Sequence, residues 1–260
     1  MRWIRFHDDG AVRTAILEGS TVRPVRGDMF SDYEIEDRCL DLADVRLDVP
    51  VFPRTFYAAG FNYQAHAASA GLASPDRPAP KEANIGYRAT NALIAHEEPI
   101  IVPPDATDKV NYEGEIVVVI GRKAKNLDRD NALSAVFGYT IGNDVSERTW
   151  QKTDSTFWRA KNTDTFKPMG PWIETDVVLD DLETVVRLNG EEQIRFATND
   201  MIFGIVDYLV RMTRYLTLYP GDVVWMGTEG TSPNLLDGDV VEIEISGIGT
   251  LRNPVVRQAG

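Results

Sequence analysis

Glu113 and Glu115 stand two residues apart at the head of the stretch NYEGEIVVVIG, residues 111–121. The rest of that stretch is β-branched and apolar, which predicts a buried strand. Side chains alternate along a strand, so both carboxylates point to one face and Gly114 turns to the other. Like charges about 7 Å apart at the entrance to an apolar strand repel each other unless a cation lies between them. A third acid, Asp144, ends a second apolar strand in FGYTIGNDVSERTWQ. Three carboxylates meeting at neighbouring strand ends form an all-oxygen donor set. Such a set suits a hard divalent ion, Mg²⁺ or Mn²⁺, with the other positions left to water and substrate. Spacing alone leaves a plainer reading open, in which these are exposed edge acids paired with Arg122 or Arg148.

The chain that must position them has 260 residues, enough to bury a large core. With 43% hydrophobic and 26% charged residues, it has the composition of a soluble globular protein. Lys and Arg number 27 against 40 Asp and Glu, a net charge of −13 that argues against nucleic acid or an anionic membrane as partner. No run approaches the roughly 18 apolar residues of a membrane span. The start, MRWIRFHDDG, has no apolar core of an export signal, so a cytoplasmic enzyme is expected. A lone Cys39 has no partner for an internal disulfide.

Residues 1–50 read as a small β-rich N-terminal domain, with strands split at Asp9-Gly10 and Gly19-Ser20 and an acidic stretch, 32–49, suited to a short helix. Pro50 and Pro53 mark its end, and residues 51–260 form one body. Strands are expected at 55–59, 113–120, 136–144, 185–189, 222–227 and 240–246. NDMIFGIVDYLVRMTRYL, with an Asn/Asp start and Pro220-Gly221 beyond its end, is the clearest helix. The class is mainly β, mixed α/β.

The order of YAAGFNYQAHA, NYEGEIVVVIGRKA, GYTIGNDVSERTWQ, WRAKNTDTFKPMGPWI, YPGDVVWMGTEG and GDVVEIEISGIGTLRNPV resembles the fumarylacetoacetate hydrolase family over roughly residues 54–256. The resemblance implies a mixed β-sandwich roll, a homodimer or tetramer, a central Mg²⁺, Mn²⁺ or Ca²⁺, and a role in aromatic catabolism. It makes Glu113, Glu115 and Asp144 the metal ligands, so that the missing cation is a bound ion. Lys161 would contact the substrate oxyanion. Arg88, Arg148, Gln151, Gly227 and Thr228 would line the substrate cavity, Arg148 pairing with a carboxylate and the Gly227 N–H and Thr228 hydroxyl meeting another. For Arg148 a salt bridge supporting the ligand loop is the alternative. His66 would be the general base.

Three positions depart from the family pattern: Ser69 where many members have Glu, Glu229 in place of a proline, and Tyr87-Arg88 in the usual Phe-x-Lys stretch. With Ser69 unable to orient His66, Glu229 is the expected partner of the imidazole, and Glu97 or Glu98 the next candidates. The leading expectation is a metal-dependent hydrolase cleaving a C–C bond in an acylpyruvate or β-diketo acid. The alternative is a decarboxylase, hydratase or isomerase of related 2-oxo acids, using the same enolate chemistry without an activated water.

Overall fold

The computed structural model describes residues 1–69 and 80–259, and of Ser69 the main chain alone. Strand Gly114–Ile120 is the centre of the larger, 13-stranded sheet, and all its residues are buried. One face, Val117 and Val119, packs with Phe56, Met169 and Trp225. The other, Ile116, Val118 and Ile120, packs with Val186, Ile243 and Ile245 of a second sheet and with Leu209 and Met212 of a helix. Burial on both faces explains a continuous apolar run where a half-solvated strand would alternate. Each buried Val or Ile contributes roughly 1.5–3 kcal/mol.

Val136–Asn143 and Val223–Trp225 pair antiparallel with this centre, and Phe56–Ala59 pairs parallel with Val223–Trp225. Beyond Val136–Asn143 the sheet continues through Lys167–Glu174 to Arg2–Asp8, Ala11–Glu18 and Thr21–Gly27. The second sheet runs Ile100–Val102, Gly249–Arg257, Val240–Ile245, Glu183–Leu188, Glu191–Ala197. The mainly β, mixed sandwich expected from the sequence is therefore the fold of the chain.

Several elements differ from expectation. The acidic stretch holds short strands, Tyr33–Ile35, Leu40–Asp41 and Arg46–Asp48, and a single 3-10 turn, Leu42–Asp44, that Asp41 Oδ1 caps by accepting the Ala43 N–H. The main helix is Ile205–Tyr215, starting later than Asn199-Asp200; Asp207 Oδ2 accepts the Gly204 N–H, while Asn199 donates to the Asp180 carbonyl. Strand Lys167–Glu174 escapes sequence reading because Pro168, Gly170 and Pro171 argue against a central strand.

The topology places five strand ends on one rim. Antiparallel register sets Gly114 against Asn143, and Met169 against Gly142; parallel register sets Trp225 beside Ala58. The starts of Gly114–Ile120 and Lys167–Glu174 thus meet the ends of the other three. Gly114 is required here: a Cβ would lie 2.9 Å from both Ile243 and Val186, so only glycine lets the second sheet pack under the two glutamates.

Candidate active site

On that rim Glu113, Glu115 and Asp144 each present an oxygen within 4.8 Å of the others, and all three are buried. They line a pocket of about 450 Å³, counting its open mouth, with Phe61, Asn62, His66, Arg88, Gln151, Phe157, Lys161, Gly227 and Thr228.

Four basic side chains surround the acids. Lys161 Nζ donates to Glu113 Oε2 at 3.0 Å and to Asp144 Oδ2 at 2.9 Å. Arg88 Nη2 also donates to Asp144 Oδ2, at 2.9 Å. Arg148 Nη2 donates to Glu113 Oε1 at 2.5 Å. Lys167 Nζ lies 2.7 Å from Asp144 Oδ1, an ion-pair contact without hydrogen-bond alignment, and donates to the Val145 and Phe166 carbonyls. Burial alone would raise the pKa of Glu113, but Lys161 and Arg148 outweigh it and hold the group at about 2. Asp144 is likewise held well below the usual range, with Arg88, Lys161 and Lys167 overcoming its desolvation.

Glu115 differs. Its Oε2 accepts the Gly227 N–H at 2.7 Å, and no Lys or Arg of the described residues makes an ion pair with it. Burial, with the charges of Asp144 and Glu113 added, pushes its pKa up to about 8. This set fits a hard divalent ion. The donors are all carboxylate oxygens on one pole of a pocket, and Glu115 lacks the positive partner that an ion supplies.

Two expectations for the cavity change. The Gly227 N–H is taken by Glu115, because a buried carboxylate without a cation needs a donor; Gly227 has φ +87°, a backbone only glycine adopts without strain. Arg148 does not line the pocket. Its Nε, Nη1 and Nη2 are taken by Asn111, Gln151 and Glu113, so it supports the ligand loop. Thr228 lines the pocket, and its hydroxyl is buried and without a hydrogen-bond partner among the described residues.

His66 lies on the short helix Gln64–Ser69, its ring beside Phe61. Nε2 is 3.6 Å from Glu113 Oε1, and Nδ1 is 2.7 Å from the Gly230 carbonyl oxygen. A carbonyl only accepts, so Nδ1 carries a hydrogen, and Nε2 is the ring nitrogen on the Glu113 side. Glu229 does not meet the imidazole. Its Oε1 accepts the main-chain N–H groups of His66 and Gly230, at 3.0 and 2.7 Å, and so holds the start of the helix. Glu97 pairs with Arg252, and Glu98 accepts the Ala95 N–H, both away from the pocket. The Ser69 side chain lies outside the described residues. Lys167 was not singled out in the sequence; its one signal is a charged residue inside the quoted TFKPMGPW stretch.

The sequence model described as fumarylacetoacetate (FAA) hydrolase C-terminal matches residues 55–256, and the one described as Rv2993c-like, N-terminal matches residues 1–50. The chain belongs to the fumarylacetoacetate hydrolase family of enzymes. It is similar to "Protein Rv2993c" of Mycobacterium tuberculosis, 39% identical over 92% of this chain and 89% of the relative. The 2,4-didehydro-3-deoxy-L-rhamnonate hydrolase of Sphingomonas sp. is 38% identical (76% of this chain, 72% of the relative). The oxaloacetate tautomerase fahd2 of Xenopus laevis is 33% identical (87% and 73%). Among solved structures, the 5-carboxymethyl-2-hydroxymuconate delta-isomerase of Mycobacterium smegmatis superposes with a TM-score of 0.89 at 38% identity, covering 99% of this chain and 100% of that one. Among the described residues, no helix is long and apolar enough to cross a membrane.

Proposed function

We propose that the protein is a divalent-metal-dependent enzyme that moves a proton at the carbon beside the ketone of a small 2-oxo acid, the tautomerase or isomerase reaction. The observation that supports it best is His66, its Nδ1 fixed on the Gly230 carbonyl and its Nε2 3.6 Å from Glu113 in the pocket of the carboxylate triad. Mg²⁺, or Mn²⁺ or Ca²⁺, would be held by Glu113, Glu115 and Asp144, and when bound supplies the Lewis acid that stabilises enolate charge.

The chain's own groups do the rest. Thr228 Oγ1, which lines the pocket and has no hydrogen-bond partner among the described residues, donates to a substrate carboxylate. Lys161 and Arg88 flank the same pocket and attract an anionic substrate. His66 Nε2 takes the proton from the substrate carbon and returns it, and the Glu113 carboxylate nearby stabilises the imidazolium formed.

The second reading is C–C bond hydrolysis of an acylpyruvate or β-diketo acid, with His66 drawing its proton from water. The relative named as a hydrolase supports it. It stands second because the relative named as a tautomerase and the solved structure named as a delta-isomerase match more of this chain than that hydrolase does. In both readings the enzyme works as a homodimer on a small-molecule substrate, for which the exposed Trp158 and Tyr87 beside the pocket give an apolar contact surface.

The test is a panel of oxaloacetate enol and acylpyruvates assayed with each ion, following enol absorbance and product masses. Loss of enol absorbance at unchanged mass supports the tautomerase, and two acid fragments the hydrolase. Release of carbon dioxide marks a decarboxylase. Full activity in excess chelator overturns the metal-dependent reading.

A further inference from the structure

Lys167 is fully buried and does not line the pocket, yet it touches one of the pocket's carboxylates. Its Nζ has three oxygens around it: Asp144 Oδ1 at 2.7 Å, the Val145 carbonyl at 2.9 Å and the Phe166 carbonyl at 2.8 Å. Two of its N–H groups go to the carbonyls and its remaining side faces the carboxylate, so the amine is turned away from the pocket. The amine grips the side chain of Asp144 and the main chain of the next residue together.

The two oxygens of Asp144 are thereby distinguished. The pocket-lining Lys161 and Arg88 both reach Oδ2, which marks Oδ2 as the oxygen facing the pocket. Lys167 holds Oδ1 from the buried side. Turning the carboxylate so that both oxygens faced one ion would pull Oδ1 away from this amine.

We infer that Lys167 is a positioning residue for metal selectivity: by holding Oδ1 it makes Asp144 a one-oxygen ligand, which favours Mg²⁺ or Mn²⁺ over Ca²⁺. Mg²⁺ demands compact octahedral geometry at about 2.0–2.1 Å, whereas Ca²⁺ takes about 6–8 oxygens at 2.3–2.6 Å and often draws both from one carboxylate. The inference rests on the metal reading of the triad proposed above.

The test is titration calorimetry of the apo protein with MgCl₂, MnCl₂ and CaCl₂ alone, for the wild type and for Lys167→Met. Removing a positive charge tightens every dication, so the informative quantity is the ratio of Ca²⁺ to Mg²⁺ dissociation constants, in which that common effect cancels. The wild type is expected to prefer Mg²⁺, and Lys167→Met to shift the ratio toward Ca²⁺ by about tenfold or more, the scale on which groups behind metal ligands act. Lys167→Gln retains a donor for the carbonyls but not the ammonium, and gives the same shift if Met at this site prevents folding. An unchanged ratio in a folded variant overturns the role of Lys167 while leaving the metal site intact. A wild type that binds none of the three ions overturns both.

Discussion

Lys161 Nζ bridges Glu113 Oε2 and Asp144 Oδ2, at 3.0 and 2.9 Å, so one buried amine holds together two strand ends that would otherwise repel. Removing one partner from a buried ionic cluster leaves uncompensated charge, at a cost of about 3–5 kcal/mol. Lys161→Met is therefore expected to lower the urea midpoint of chelator-treated protein markedly. Saturating Mg²⁺ should recover much of the loss, because the ion replaces the missing charge. Equal destabilisation with and without the ion would refute this.

Metal affinity should depend on pH through Glu115. Its pKa is raised to about 8, so below that pH an ion must displace a proton. Affinity should rise as pH climbs toward 8 and then level off, with proton release seen calorimetrically in buffers of different ionisation enthalpy. Glu115→Gln should abolish that release.

The same shifts fix the stability profile of the apo protein. Glu115 has a folded pKa above its ordinary 4.5, so its contribution is full below 4.5 and is lost as pH rises through 8. Glu113 and Asp144, both lowered, contribute above their ordinary 4.5 and 3.8 and lose that contribution as pH falls toward 2. Chelator-treated protein should be more stable near pH 5 than at pH 8.5, a difference that Mg²⁺ narrows. Denaturant curves at both pH values check this.

Glu229→Gln is expected to leave kcat close to wild type, since Gln retains the oxygen that accepts the His66 and Gly230 N–H groups. Glu229→Ala should lower kcat by loosening the helix start, and His66→Ala should lower it by roughly 10²–10⁴-fold. A Glu229→Gln variant as inactive as His66→Ala would restore the carboxylate–imidazole pairing that the geometry denies.

How much of this could be read from the chain depends on the residue. Glu113, Glu115 and Asp144 were legible because each ends an apolar strand within a long motif, and strand alternation fixes their direction. The first hairpins were legible from their turns, where Asp9, Gly10 and Gly19 all have positive φ. Lys167 was not, because a lysine beside proline reads as a surface loop until the partner strand is known. Glu229 misled for a related reason: proximity of its turn to His66 was right, but nothing in sequence says whether a carboxylate meets a ring or a main-chain N–H.

Thr228→Val should raise KM by about 10- to 100-fold, the equivalent of the roughly 1.5–3 kcal/mol of a hydrogen bond to a charged group. Because the hydroxyl has no hydrogen-bond partner among the described residues, the melting temperature should stay near that of the wild type. A large fall in melting temperature with KM unchanged would assign Thr228 to the scaffold instead.

The parallel pairing of Phe56–Ala59 with Val223–Trp225 joins segments from opposite ends of the catalytic body, and the chain at the end of each strand, Ala59–Asn62 and Gly227–Thr228, lines the pocket. Contacts between residues so distant along the chain form late, because a long loop must close before they yield any stabilisation. A growing polypeptide thus carries its acidic groups well before it owns the surroundings that make them reactive. A complete pocket arrives only with the final stretch of synthesis.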